Sequence, residues 1–172
     1  MNTRRLAPLA LGLILLLVGC APAGHAPAAT ASAGGGPATC RFEDESTVAL
    51  ELPAGFVESA PCTWSFGDSS LSITSPTGDD FIDIEDQRAE AEGWIGVGGD
   101  EEVSDFSFEE DADLFAAQRG QILAYRSAAD GVPIIVVVGQ SAELQLSFSV
   151  SADEAEVATE LARFRSIAAT VG

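Results

Sequence analysis

The chain contains no lysine, and that absence sets the first limits on its function. Its eight cations are all arginine and face 27 carboxylates, for a formal charge of −19. Nucleic-acid binding needs a basic patch to neutralise phosphates, so this balance excludes nucleic acid as a partner. It also repels anionic lipid headgroups, so a domain of this composition stands off a bilayer surface. Histidine occurs once, as His25, inside a segment of small residues. The remainder therefore lacks the imidazole of a Ser-His-Asp triad, and the missing lysine removes a Ser-Lys dyad. Neither a G-x-S-x-G elbow nor a phosphate-cradling glycine loop is present, and Gly96-Val97-Gly98-Gly99 reads as a simple turn. Long apolar runs are absent too. The longest, Leu9 to Val18, falls short of the roughly 20 residues needed to span about 30 Å of hydrocarbon.

What that short run does have is the layout of an export signal. Arg4 and Arg5 precede it, and a small residue, Gly19, closes it before Cys20. The arginine pair is followed by Ala7 and Pro8 where a twin-arginine signal has bulky apolar residues, so it reads as a plain basic start. The order Leu17-Val18-Gly19-Cys20 resembles the lipobox of bacterial lipoproteins. That resemblance implies cleavage before Cys20, a diacylglycerol on its thiol, and residence on the extracytoplasmic face of the cell membrane. One acyl chain holds a protein only marginally, and the family's modification supplies at least two on Cys20. An ordinary signal peptide that happens to end in cysteine is the alternative. Cleavage would leave 153 of the 172 residues, and loss of Arg4 and Arg5 takes the formal charge from −19 to −21. So strong an excess serves solubility first, and attraction to basic partners second.

The organisation that follows is an expected signal peptide at 1–19, a lipidated cysteine and tether at 20–39, and a single domain at 40–172. Ala21 to Thr39 is almost wholly Ala, Gly and Pro, with too little apolar surface to offset the cost of ordering it. As a coil it spans about 25 Å, and fully extended roughly 60 Å, which gives clearance from a membrane. With Cys20 lipidated, Cys40 and Cys62 remain as an even pair in an oxidising compartment. A disulfide between them is expected, holding the first hairpin; two free buried thiols are the alternative.

Strand patterns dominate the domain. Val48, Leu50 and Leu52 alternate with polar or small residues until Pro53-Ala54-Gly55 breaks the run. Cys62, Trp64 and Phe66 share one strand face, Gly67-Asp68 turns the chain, and Leu71 and Ile73 line the next strand. Phe81 to Glu85 alternates again and predicts a further strand, with a short helix over Asp86 to Trp94. Val103 to Phe108 and Gln121 to Arg126 read as strands, and Asp113 to Ala117 as either strand or helical turn. Ile134 to Val138 is unbroken, which fits a strand covered on both faces. Glu143 to Val150 alternates cleanly after a turn at Gly139-Gln140-Ser141. Last comes a helix with Val157, Leu161, Phe164 and Ala168 on one stripe, Arg163 and Arg165 near its end, and a capping box from Ser151 to Glu154. An antiparallel sheet packed by a C-terminal helix and a shorter internal helix is an α+β fold.

These pieces resemble the PsbP-like α/β/α sandwich and, more loosely, small actinobacterial lipoproteins of the LpqN and LpqT type. The residues that carry the likeness are TVALELPAGF at 47–56, WSFGDSSLSITSP at 64–76, GVPIIVVVGQSAELQLSFSV at 131–150 and ADEAEVATELARFRSIAATV at 152–171. The stretch from Ala89 to Gln118 departs from the pattern. The resemblance implies a non-catalytic binding or assembly module, and it brings no catalytic residue with it.

Carboxylates are the only abundant chemistry. They gather as Asp79, Asp80, Asp83, Glu85 and Asp86; as Asp100, Glu101, Glu102 and Asp105; and as Glu109, Glu110, Asp111 and Asp113. Calcium takes six to eight such oxygens, but the spaced EF-hand pattern is absent, so solvated faces are the expectation and no metal or cofactor is assigned. Trp64 is expected in the core. For Trp94, core packing is favoured over contact with a partner, because aromatics dominate buried surface. The function these readings support is a lipid-anchored, non-catalytic extracytoplasmic domain that binds another envelope protein or ligand. A carrier of a small apolar ligand and a carboxylate-only hydrolase are the alternatives, marked respectively by an apolar pocket under the last helix and by facing carboxylates in a cleft.

Overall fold

The computed structural model describes residues 35–76, 81–98, 102–116, 118–129, 132–152 and 155–172. The signal, Cys20 and most of the tether lie outside the described residues. The tether's last residues do not behave as composition implies. Gly36–Arg41 forms strand β1, pairing antiparallel with β2, Thr47–Leu52, so that Ala38 faces Leu50 and Cys40 faces Val48. Backbone pairing needs no large side chain, and burial of Cys40 holds the strand against the core. The ordered domain thus starts before residue 40.

The main sheet has seven antiparallel strands: β3, Val57–Ala60; β4, Thr63–Phe66; β5, Ser69–Thr74; β6, Ser104–Phe115; β7, Gln118–Ala129; β8, Val132–Gln140; and β9, Gln145–Ser151. Their spatial order is β3-β4-β5-β9-β8-β7-β6. Two helices complete the α+β fold expected from the sequence: α1, Ile84–Gly93, and α2, Val157–Ala168. Alternation along the central strands sends side chains to both sides. Ile122, Ala124, Ile135, Val137, Leu146 and Phe148 meet Phe164 and Ile167 of α2. Leu123 and Val138 point the other way, to Ile84 of α1, with Phe108, Tyr125 and Val136 around them. The unbroken apolar run in β8 is covered on both faces, as its composition predicts.

Three expectations are corrected, and one strand is new. Phe81 to Glu85 is not a strand: Ile84 already opens α1 and is fully buried, and Asp83 caps the helix. Helix α2 starts at Val157 with Glu156 at its N-cap, and Ser151 ends β9, so Ser151 does not cap this helix. Strand β3, every residue of it exposed, is an edge strand with no apolar alternation to reveal it. Gly139 and Gln140 extend β8 instead of turning it, and the reversal falls at Ser141 to Leu144, where Ser141 accepts two backbone N–H bonds.

Cys40 and Cys62 are joined, their Cα atoms 4.7 Å apart. The bond does more than hold the first hairpin. It ties β1 of the small sheet to the β3–β4 turn of the large one. The C-terminus closes the same region, Gly172 exchanging both backbone bonds with Ala49 at 3.0 Å.

Candidate functional site

The carboxylates that the sequence gathers into three groups are distributed among structural tasks. Asp83 accepts a bond from the Glu85 N–H at the start of α1. Glu85 pairs with Arg88 and accepts from Gln121 on β7. Asp105 pairs with Arg126 at 3.3 Å, while Glu109 and Asp111 of β6 both meet Arg165 of α2. Asp79, Asp80, Asp100 and Glu101 lie outside the described residues. Among the described residues no three metal-ligating side chains converge.

A cleft of about 700 Å³ opens beside the start of α2. Asp105, Arg126 and Glu156 line it together with Phe106, Val157 and Leu161. Arg126 spends its guanidinium on holding the chain: it donates to the Ala152 and Ala155 carbonyls at 3.0 and 2.6 Å. Phe164 and Ile167 of α2 itself share one buried cluster with Val137 and Phe148 of the sheet.

Exposed apolar residues gather at the far end of α1. Gly93 ends the helix, and Trp94 caps it by donating its N–H to the Ala91 carbonyl at 3.1 Å. The chain then turns on Gly96 and Gly98, at φ of 69° and 74°, the left-handed region that favours glycine. Backbone bonds fix the turn. The Trp94 carbonyl accepts the Val97 N–H at 3.4 Å and the Val103 N–H at 3.2 Å, and Ile95 bridges to Val103. Val103 points inward and is buried, whereas Trp94, Ile95 and Val97 are 39%, 49% and 57% exposed. Scattered exposed apolar residues need no explanation, but three within four positions form a patch. We call it the knuckle.

Carboxylates flank it in sequence. Glu92 immediately precedes Gly93, and exposed Glu102 adjoins Val103. Arg88, the only cation on α1, is committed: its Nε donates to Glu92 at 2.8 Å, its Nη1 meets Glu85, and its guanidinium lies 4.4 Å from the centroid of the Phe108 ring. The bond to Glu92 raises its affinity for the proton still further.

Trp64 is buried, as expected. Trp94 is not in the core, which corrects the favoured reading of that residue. The signal was legible: in Gly93-Trp94-Ile95-Gly96-Val97-Gly98 the glycines interrupt the apolar residues, so they fit neither a helical stripe nor strand alternation. Cys20 lies outside the described residues.

The chain matches no family model and no curated protein. It is similar to the solution structure of cyanobacterial PsbP (CyanoP) from Synechocystis sp. PCC 6803. The two are 13% identical, with a TM-score of 0.46, over 86% of this chain and 97% of that one.

Proposed function

We propose that this protein is a lipid-anchored, non-catalytic binding domain on the outer side of a bacterial cell membrane. The exposed Trp94-Ile95-Val97 knuckle carries the binding part of this reading. A hydrophobic cluster held in a fixed turn loses little conformational entropy when a partner covers it, so its burial translates efficiently into affinity. Tryptophan is also among the residues that dominate interface energetics. Leu17-Val18-Gly19-Cys20 supports the anchor, and the small-residue segment behind it supports clearance from the bilayer.

Two measurements on the full chain test the two halves. Cys20→Ser moves the protein from the membrane to the soluble fraction; retention in the membrane would defeat the lipid anchor. Detergent-extracted wild-type protein sediments as a complex larger than its monomer. The double substitution Trp94→Ser, Val97→Ser returns it to monomer size without changing its thermal unfolding. A complex unaffected by that pair removes the knuckle from the binding surface.

A further inference from the structure

The charge around the knuckle restricts what can cover it. Among the described residues between Ile84 and Val103 there are five carboxylates, Glu85, Asp86, Glu90, Glu92 and Glu102, and one cation. That cation, Arg88, is held by Glu85 and Glu92 and stacked on Phe108, so it is not free to meet a ligand. A lipid surface and a protein pocket respond to this pattern in opposite ways. Seating the apolar residues in a bilayer would bring Glu92 and Glu102 against phosphate headgroups, where basic side chains are attracted and acidic ones repelled. A protein pocket with a basic rim gains from the same carboxylates. The net negative charge of the segment steers the encounter, and Glu102 faces the rim while the apolar centre is buried.

The placement of α1 says where such a partner sits. Glu85 touches Gln121 near the start of β7, and Glu90 lies close enough to Tyr125 to act on it electrostatically. The helix therefore runs along β7 in the strand's own direction. Its remaining turn, at about 1.5 Å per residue, delivers Trp94 toward the β7–β8 end of the sheet. Val132, 53% exposed, starts β8 at that end.

Resting on the binding-domain reading above, we infer that the knuckle seats in an apolar pocket on a partner protein whose rim carries arginine or lysine. Here the described carboxylates that precede and follow a fixed apolar projection outnumber the one cation beside them, Arg88, five to one.

The test places the photoreactive residue p-benzoylphenylalanine at position 97 of the full chain in its native cells, with the same residue at exposed Ala162 on α2 as the control position. The expected result is one protein adduct specific to position 97, in a segment that holds Arg or Lys beside apolar residues. Its yield falls at least about fivefold in 0.5 M salt, and equally with Glu92→Gln, Glu102→Gln in low salt. The salt arm needs no further substitution, so it stands even if the double variant folds poorly. Adducts with phospholipid overturn the inference, as does a protein adduct indifferent to both salt and substitution. The latter leaves the binding-domain reading intact. No adduct above the control position removes both.

Discussion

Asp83 uses both of its carboxylate oxygens. Oδ1 accepts the Glu85 N–H at 2.9 Å and caps α1; Oδ2 accepts Nε2 of Gln140 at 3.0 Å. Gln140 Oε1 in turn accepts the Ile84 N–H and an Nε2 bond from Gln145, so the helix start is fastened to β8 and β9 by side chains. This local network explains why an alternating pattern from Phe81 to Glu85 does not become strand: the first-turn donors of α1 find partners only if the chain turns at Asp83. Gly139 marks the opposite face, where a Cβ would come within 2.7 Å of the Phe164 ring, so α2 rests directly on backbone there. Tyr125, the only tyrosine in the chain, lies between sheet and α1. Burial pushes its phenol above the ordinary value of 10.0, and the negative charge of Glu90 pushes it further. The folded state therefore holds this proton more tightly than the unfolded chain. The stability tied to it is intact below the unfolded pKa and is lost as pH climbs through the folded one. Phenolate absorbance should titrate above the value of free tyrosine, and Glu90→Gln should lower the midpoint only in part, because burial is the larger cause. Tyr125→Phe should move alkaline unfolding to higher pH. A phenol that titrates at its free value would refute the account.

At the scale of elements, the disulfide and the two helices divide the work of closing the sheet. Cys40 and Cys62 are 22 residues apart in sequence and join the two sheets, so the bond constrains the unfolded chain over a loop that includes β2 and β3. The chain-entropy relation puts its contribution at about 3 kcal/mol. Urea unfolding of the oxidised domain and of the Cys40→Ala, Cys62→Ala pair should differ by about that amount, and equal midpoints would show that the bond is incidental. Legibility follows the same division. Strands that bury one face, such as β5 with Leu71 and Ile73 and β9 with Leu146 and Phe148, announced themselves by alternation. So did the α2 stripe. Strands β1 and β3 did not: one is built of small residues and the other is exposed throughout, so both exist through backbone pairing to a neighbour that local sequence cannot specify. The β6–β7 hairpin was legible in part: Val103 to Phe108 and Gln121 to Arg126 read as strands and overlap it, but its full length was not legible. Its first strand mixes carboxylates with apolar residues through two register shifts, because Glu109 and Asp111 turn toward Arg165 of α2. As for the candidate site, Trp94 was visible as a residue with two possible fates. The decision lay in Gly96, Gly98 and the Val103 bond, which turn the apolar side chains outward.

The molecule as a whole carries far more negative charge than its ion pairs consume. Eight arginines cannot neutralise 27 carboxylates, and two of the eight, Arg4 and Arg5, belong to the expected signal. Two electrostatic effects therefore oppose each other in the folded domain. The pairs of Arg126 with Asp105 and of Arg165 with Glu109 and Asp111 favour the compact state and weaken when salt is added. Repulsion among the unmatched carboxylates disfavours that state, and salt weakens it as well. Exposed pairs of this kind contribute at most about 1 kcal/mol each, and the surplus charge repels across the whole domain. Repulsion should win. Raising ionic strength from about 0.01 to 0.1 M shortens the screening length from about 30 to 10 Å, which cuts the many long-range repulsions more than the few contacts below 4 Å. The midpoint of thermal unfolding should rise by about 4 °C, the shift expected for about 1 kcal/mol in a domain of this size. The same screening weakens any docking guided by the carboxylates that flank the knuckle in sequence, so salt should stabilise the isolated domain while loosening its complex. Both trends can be followed in one series of buffers, by calorimetry of the domain and by sedimentation of the complex. A thermal midpoint that falls with salt would mean that the few arginine pairs, and not the surplus of acid, govern this protein's electrostatics.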